Sequence, residues 1–302
     1  MKYHEWLTEW LKLTKPDVKQ CTYERYASYV RIQIAPELGE YDLDRLTALH
    51  IRDFITALSE RGYAAGTVNC VASVVKRSLV CAELLGIRHA ELNCKMRYRL
   101  RYRSDIKCLS LDGQRRLEKY VKCSSDPKLY GITLCLYTGL RVGELMALKW
   151  SDIDFKTCLL HVNGTCHDLY TDNGYQKRLD SPKTFKSKRT IPLPKQLIPN
   201  LKQLKAASKS EFVISGKDGK LISKRSYQST FGSVLKRVGL PHMGIHSLRH
   251  TFATRALESG MDVKTLSEIL GHKNAAITLN CYVHSMLEHK QYMMDKIGRM
   301  LQ

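Results

Sequence analysis

Apolar residues recur at three- and four-residue steps along Tyr3–Leu13, Thr22–Ile34, Ile51–Ser59 and Thr67–Leu85, the spacing of helices that each bury one stripe. Turn signals at Lys15-Pro16, from Pro36 to Gly39 and from Gly62 to Gly66 separate them. Residues 1–88 therefore read as a small four-helix bundle. From Leu109 the pattern is mixed. Leu111–Cys123, Leu129–Tyr137 and Gly143–Leu148 carry helical spacing, while Leu159–Val162, Tyr175–Leu179 and Thr190–Leu193 read as short strands. Asp172-Asn173-Gly174 is a hairpin signal between strands. Helical spacing returns at Lys195–Ala207, Lys224–Val238, Ser247–Glu258, Val263–Leu270 and Ala275–Cys281, with a last segment over Ser285–Ile297. Together these predict a mainly α fold with a small antiparallel β-sheet, an α+β second domain over residues 109–302 behind the helical first.

Charge sharpens that division. The 302 residues hold 49 Lys and Arg against 29 Asp and Glu, a net charge of +20. Hydrophobic residues make up 43%, enough for a packed core, so the excess charge marks a folded protein that meets a polyanion rather than a disordered chain. Residues 1–88 are nearly neutral, with 12 basic and 11 acidic side chains, and the excess falls in residues 89–302. Lys95, Arg97, Arg99, Arg101, Arg103 and Lys107 place a cation at nearly every second position in residues 89–108, with Tyr98 and Tyr102 between them. In an extended chain that alternation lines one face with positive charge, which suits a strap along a phosphate backbone as well as a solvated linker between domains. No apolar run reaches the ~18 residues of a membrane span. The expectation is a protein without membrane association, acting in the cytoplasm.

Ten cysteines suggest a disulfide or zinc framework at first sight. No two are spaced as in a zinc knuckle or redox motif, and Cys81 and Cys135 lie inside apolar helical patterns. Reduced thiols that pack as small hydrophobes are the expected state.

Four local features carry chemistry. Arg141 follows a glycine turn in the otherwise apolar Thr138–Leu145, where a lone guanidinium needs an anionic partner; Glu144 is its nearest candidate, or braces another cation. Ser181–Pro192 reads as a basic hairpin with Lys183 and Arg189 on its two arms and Lys186 and Lys188 between; alone, such a hairpin is also a solvated edge. His246-Ser247-Leu248-Arg249-His250 opens a helix and sets His246, Arg249 and His250 on one face. His246 and His250 have the spacing of two zinc ligands, but Ser247 stands where zinc hydrolases carry Glu and no third ligand lies nearby. Tyr282 follows Leu270-Gly271-His272 by ten residues and by itself would be an ordinary core tyrosine.

The set as a whole suits attack of a phenol oxygen on a phosphodiester. Two guanidinium groups match the charge that spreads over the non-bridging oxygens, a neighbour takes the tyrosine proton, and Lys or His delivers one to the leaving oxygen. No phosphate-cradling glycine loop or acidic metal cluster accompanies them.

At these residues the sequence resembles the tyrosine recombinase, or phage integrase, family over essentially the whole chain. The words TGLRVGELMALKWSDID, SPKTFKSKRTIPL, GIHSLRHTFAT and LGHKNAAITLNCYVH are similar to integrases of conjugative transposons and related prophages. The resemblance implies a helical core-binding domain (1–88), a basic linker (89–108) and a catalytic domain with a C-terminal tail helix (109–302). It implies that Arg141 and Arg249 hold the scissile phosphate, Lys183 protonates the leaving 5′-oxygen, with Lys186 close enough to compete, His246 exchanges a proton with the nucleophile, and His272 hydrogen-bonds or packs at the phosphate. Tyr282 becomes the nucleophile and Glu144 a support. Lys95, Arg97, Arg99, Arg101, Arg103, Lys107, Lys186, Lys188 and Arg189 are the expected DNA contacts. No cofactor or metal is implied: the phosphotyrosine conserves the energy of the broken bond, so resealing needs no ATP, and the basic side chains take the place of a divalent metal. The implied partners are double-stranded DNA, a homotetramer that exchanges strands through a Holliday junction, and an accessory DNA-bending or directionality factor. Met286, Met293, Ile297 and Met300 form one stripe of a tail that packs either on a neighbouring protomer or on its own domain. Many such integrases begin with an extra arm-binding domain, whereas here the helical pattern starts almost at Met1, as in a shorter recombinase or a shortened chain. A type IB topoisomerase and a non-catalytic DNA-binding regulator are the alternatives.

Overall fold

The computed structural model describes residues 1–87, 108–124, 126–171, 174–180, 188–216 and 218–272, together with 291, 294–295 and 297–301 of the C-terminal segment. The linker cations from Lys95 to Lys107, Lys183, Lys186, the expected helix at 275–281, Tyr282, Met286 and Met293 lie outside the described residues. Two compact units hold the rest: the first takes in the helices of residues 3–84 together with Leu169–Thr171 and Gly174, the second the described helices after residue 108 and the remaining strand residues.

In the first unit, α1 (Tyr3–Thr14) buries Tyr3, Trp6, Leu7 and Trp10, the predicted stripe. The polar atoms of the large rings are satisfied inside. Tyr3 Oη pairs with Ser78 Oγ at 2.8 Å, and Trp6 Nε1 donates to Ser78 O at 2.9 Å, so one serine of α5 (Ala65–Leu84) anchors the end of α1. The expected break at Pro36 is absent. α2 (Gln20–Tyr29) continues through a π turn at Val30–Ile34 into α3 (Ala35–Leu38), with Ala35 N–H donating to Val30 O. The extra residue of that turn accommodates Pro36, which has no N–H to give and whose ring would otherwise strike the carbonyl a turn back. α4 (Ala48–Glu60) is capped by Thr47, whose side chain accepts from His50 N–H.

The second unit opens with α6 (Leu111–Cys123), capped by Ser110, and α7 (Tyr130–Thr138), buried along most of its length. After α8 (Val142–Ala147) come β1 (Ile153–Asp154), β2 (Leu159–Val162), β3 (Thr165–Thr171), β4 (Gly174–Asp180) and β5 (Arg189–Pro192). β1, β2 and β5 form an antiparallel sheet in that order, and β3 and β4 pair separately. In the β2–β5 register Leu160 faces Ile191 and Val162 faces Arg189. In this unit β1 and β3 escape the sequence pattern; its other described strands and helices stand where periodicity places them. α9 (Ile198–Ala207), α10 (Lys224–Arg237), α11 (His246–Glu258) and α12 (Val263–Leu270) complete the unit, and Asp262 caps α12 by accepting from Thr265 N–H. No described helix is long and apolar enough to cross a membrane. The eight described cysteines are free thiols, with Cys135 and Cys166 buried.

Candidate active site

The site is assembled where α7 and α12 both end on a left-handed glycine. Gly139, at φ 64°, turns the chain from α7 to Arg141. A β-carbon there would lie 2.6 Å from Phe252 and 2.7 Å from Leu270, so the turn fits against α11 and α12 only without a side chain. Arg141 is the N-cap of α8, and its backbone N–H donates to Glu144 Oε2 at 2.9 Å. Its guanidinium donates to Glu144 Oε1 at 2.8 Å and to Gly271 O at 3.1 Å, and its side chain stays 37% exposed.

Glu144 takes both roles anticipated for it. Besides Arg141, its carboxylate accepts a two-pronged contact from Arg189 Nη1 and Nη2 at 3.0 and 2.8 Å. Burial would raise its pKa, but the hydrogen bonds and charge of Arg189, with Arg141 beside them, outweigh burial and hold it at about 2. Glu144 is therefore an anion throughout the neutral range.

Arg249 projects from α11 and is 3% exposed. It donates to Gly139 O and Leu270 O, each at 2.7 Å, tying the α7 turn to the end of α12. The last carbonyls of a helix lack intrahelical partners and sit at the negative end of its dipole, so they suit buried guanidinium groups. After Leu270, Gly271 at φ 64° reverses the chain, and His272 N–H returns to Ser267 O at 3.0 Å. That closure fixes His272 at the same corner.

The histidines sit in a cationic, partly dry setting. Burial, then His250, Arg249 and Arg141, push the His246 imidazole down to about 4 against the opposing pull of Glu144. Burial, then Arg249, Arg141, Arg189 and His246, push His272 down to about 4 as well. Both rings are neutral at pH 7 and able to accept a proton or a hydrogen bond. His246 and His250 meet edge to face, ring centres 4.8 Å apart and planes at 87°. In an NMR titration of the free protein, His246 and His272 are expected to titrate near pH 4, and a bound phosphate diester to raise both values, because its charge favours imidazolium. Failure of DNA to move either value contradicts their placement beside the phosphate. The unfolded chain takes up these protons near 6.5 and the folded chain near 4, so stability falls as pH drops through that window.

Thus Arg141, Glu144, His246, Arg249 and His272 come together. Lys188 is exposed, as a DNA contact requires. Arg189 is placed otherwise than expected. Its side chain is 6% exposed and turned inward, because on β5 it shares the face of buried Ile191. Its engagement with Glu144 replaces contact with solvent. Sequence reasoning also missed that the carbonyls ending α12 are partners of the site's arginines.

The family model described as the phage integrase family matches residues 115–289, a span that holds Arg141, Glu144, His246, Arg249 and His272. A second model, the phage integrase N-terminal SAM-like domain, matches residues 2–59. The chain belongs to the phage integrase family and is a tyrosine site-specific recombinase. It is 29% identical to a XerC-like tyrosine recombinase of Caldanaerobacter subterraneus subsp. tengcongensis, covering 95% of this chain and 79% of that one. It is 26% identical to the transposase from transposon Tn916 of Enterococcus faecalis, over 94% of this chain and 75% of that one. The fold matches the Tn1549 transposon integrase solved with transposon right-end DNA at a TM-score of 0.84 and 23% identity, covering 99% of this chain and 100% of that one. It also matches a lambda integrase tetramer on a Holliday junction at 0.66 and 21%, covering 91% and 78% of the two chains.

Proposed function

We propose that this recombinase cleaves one strand of duplex DNA by attack of the Tyr282 oxygen on a phosphodiester, giving a 3′-phosphotyrosine and a free 5′-hydroxyl, and reverses the step on a new partner strand. The observation that supports it most is the convergence of Arg141 and Arg249 on the end of α12, with two neutral histidines beside them. The guanidinium groups are fixed by backbone carbonyls before substrate arrives, so little reorganisation is needed when charge develops on the phosphate. His246 takes the tyrosine proton, His272 hydrogen-bonds the phosphate, Lys183 protonates the leaving 5′-oxygen, and Glu144 holds Arg141. The bond energy is retained in the phosphotyrosine, so resealing needs no nucleotide, and the guanidinium groups supply the positive charge that a divalent metal would otherwise bring.

Duplex DNA is the partner, gripped through Lys188, Lys186 and the linker cations Lys95, Arg97, Arg99, Arg101, Arg103 and Lys107. Phosphate contacts of this kind make affinity fall steeply with salt. The relatives solved as DNA complexes and as a tetramer on a Holliday junction support the same assembly here, with an accessory DNA-bending factor and action at the bacterial nucleoid completing the reading. Ile297 and Met300, 46% and 79% exposed, supply apolar surface for a tail that packs on a neighbouring protomer.

A plasmid carrying the DNA that flanks the gene tests the reading. Joined recombinant products are expected; relaxed circles without recombinants would move the chain to topoisomerase chemistry. The general acid has its own test. Lys183→Ala is expected to lower cleavage by about a hundredfold, within the range for a general acid, and to recover when the 5′-bridging oxygen is replaced by sulfur, whose departure needs no proton. Absence of rescue would move the role elsewhere, first to Lys186.

A further inference from the structure

Three successive carbonyls at the end of α12 are held by three arginines from three different parts of the second unit. Arg189 Nε donates to Ile269 O at 2.5 Å, Arg249 Nη2 to Leu270 O at 2.7 Å, and Arg141 Nη2 to Gly271 O at 3.1 Å. Two of these arginines belong to the phosphate clamp. The third, 6% exposed, turns its remaining edge to both oxygens of Glu144. A β-carbon on Gly271 would come within 3.0 Å of Arg189 Cδ and 3.2 Å of its Nη1, so the guanidinium is wedged directly against the turn that leads to His272.

Resting on the function proposed above, we propose that Arg189 is a positioning residue: it fixes Glu144 and the end of α12 to the β2–β5 sheet, and thereby keeps the Arg141 guanidinium available to the scissile phosphate. The physical need is charge balance. Glu144 is a buried carboxylate between two guanidinium groups. If Arg189 were replaced by a neutral residue, Arg141 would be the remaining cationic contact of Glu144 among the described residues, and the two would pair more tightly at the expense of the phosphate. Strand pairing makes Arg189 suited to the task, because Arg189 stands opposite Val162 in the sheet and so has a rigid base. Arginine is required by geometry as well as charge: a planar fork reaches two carboxylate oxygens and a carbonyl at once, which a lysine ammonium cannot.

The test uses the full chain and separates binding from cleavage. At saturating protein, Arg189→Gln is expected to cleave a suicide DNA substrate about 30-fold more slowly, the scale of losing a residue that orients a reacting group, with DNA affinity and its salt dependence unchanged. Arg189→Lys should fall between. The decisive variant is Arg189→Gln with Glu144→Gln, which removes the carboxylate that Arg189 neutralises. It should cleave at least threefold faster than Arg189→Gln alone, whereas a merely structural role for Arg189 makes the double variant slower still. Weaker binding with a shallower salt slope and normal saturated cleavage would identify a DNA contact and overturn the proposal. So would a double variant slower than the single. If Arg189→Gln does not fold, labelling of the wild-type protein with phenylglyoxal decides. Arg189 should resist modification with and without DNA; reaction in the free protein followed by protection on DNA overturns the proposal. A wild-type chain that forms no adduct on any flanking DNA would refute the proposed function instead, and leaves the labelling result standing.

Discussion

Tyr282→Phe binds its DNA site with wild-type affinity and forms no covalent adduct: this is the largest effect expected of any single substitution. The ring remains, but the oxygen that would attack phosphorus is gone. A phenol has a pKa near 10, so even the wild-type residue depends on a neighbour to remove its proton. In the proposed mechanism His246 takes that proton: its imidazole is neutral at pH 7, and the charge of a bound phosphate raises its basicity above the value of about 4 held in the free protein. A nicked suicide substrate, analysed on a denaturing gel, separates the outcomes: wild type shows a shifted protein–DNA band and Tyr282→Phe shows none. A shifted band from the Phe variant would place the nucleophile at another residue.

Arg249→Lys is expected to lower the saturated cleavage rate by about a thousandfold, at the upper end of what loss of a preorganised charge contact costs. The charge survives the change, so the prediction tests geometry. Arg249 spans from Gly139 O to Leu270 O with its two Nη atoms. A single ammonium reaches one of these carbonyls, leaves the other buried without a partner, and offers the phosphate a point charge in place of a planar two-pronged fork. Stability should fall with activity, by about 1–3 kcal/mol for the orphaned carbonyl, and a thermal melt beside the cleavage assay reads both. Cleavage within tenfold of wild type would contradict the clamp.

Much of this architecture is legible in the sequence, for reasons that differ by element. α6 and α12 begin at capping residues, Ser110 and Asp262, so both pattern and punctuation mark their starts. β2 alternates cleanly, with Leu160 and Val162 inward. By contrast β1, Ile153–Asp154, is too short to show any period, and neither alternating face of β3 is continuously apolar, since buried Cys166 is followed two residues on by Asp168 and Thr165 by His167. Pro36 misleads because a π turn upstream admits it, a device without a sequence signature.

The candidate site divides in the same way. Arg141 and Glu144 stand out because a guanidinium amid apolar neighbours demands a partner, His246 and Arg249 because their spacing sets them on one helix face, and His272 through the resemblance of its motif to the family's. Backbone partners have no such signal: nothing about Ile269, Leu270 or Gly271 as residue types says that their carbonyls hold arginines. Arg189 did leave a trace. Two residues before Ile191 on a short strand, it falls on the buried face by simple alternation. Its neighbours Lys186 and Lys188 give it the look of one more cation of a DNA-facing hairpin, and local charge density obscures strand period.

The most direct measurement of the proposed chemistry is to trap the wild-type adduct on a suicide substrate, digest it, and locate the nucleotide-bearing residue by mass spectrometry. A single modified peptide is expected, with a 3′-phosphonucleotide on Tyr282. A nucleotide on any other side chain, a 5′-phosphate linkage, or cleavage without a covalent adduct would contradict the mechanism.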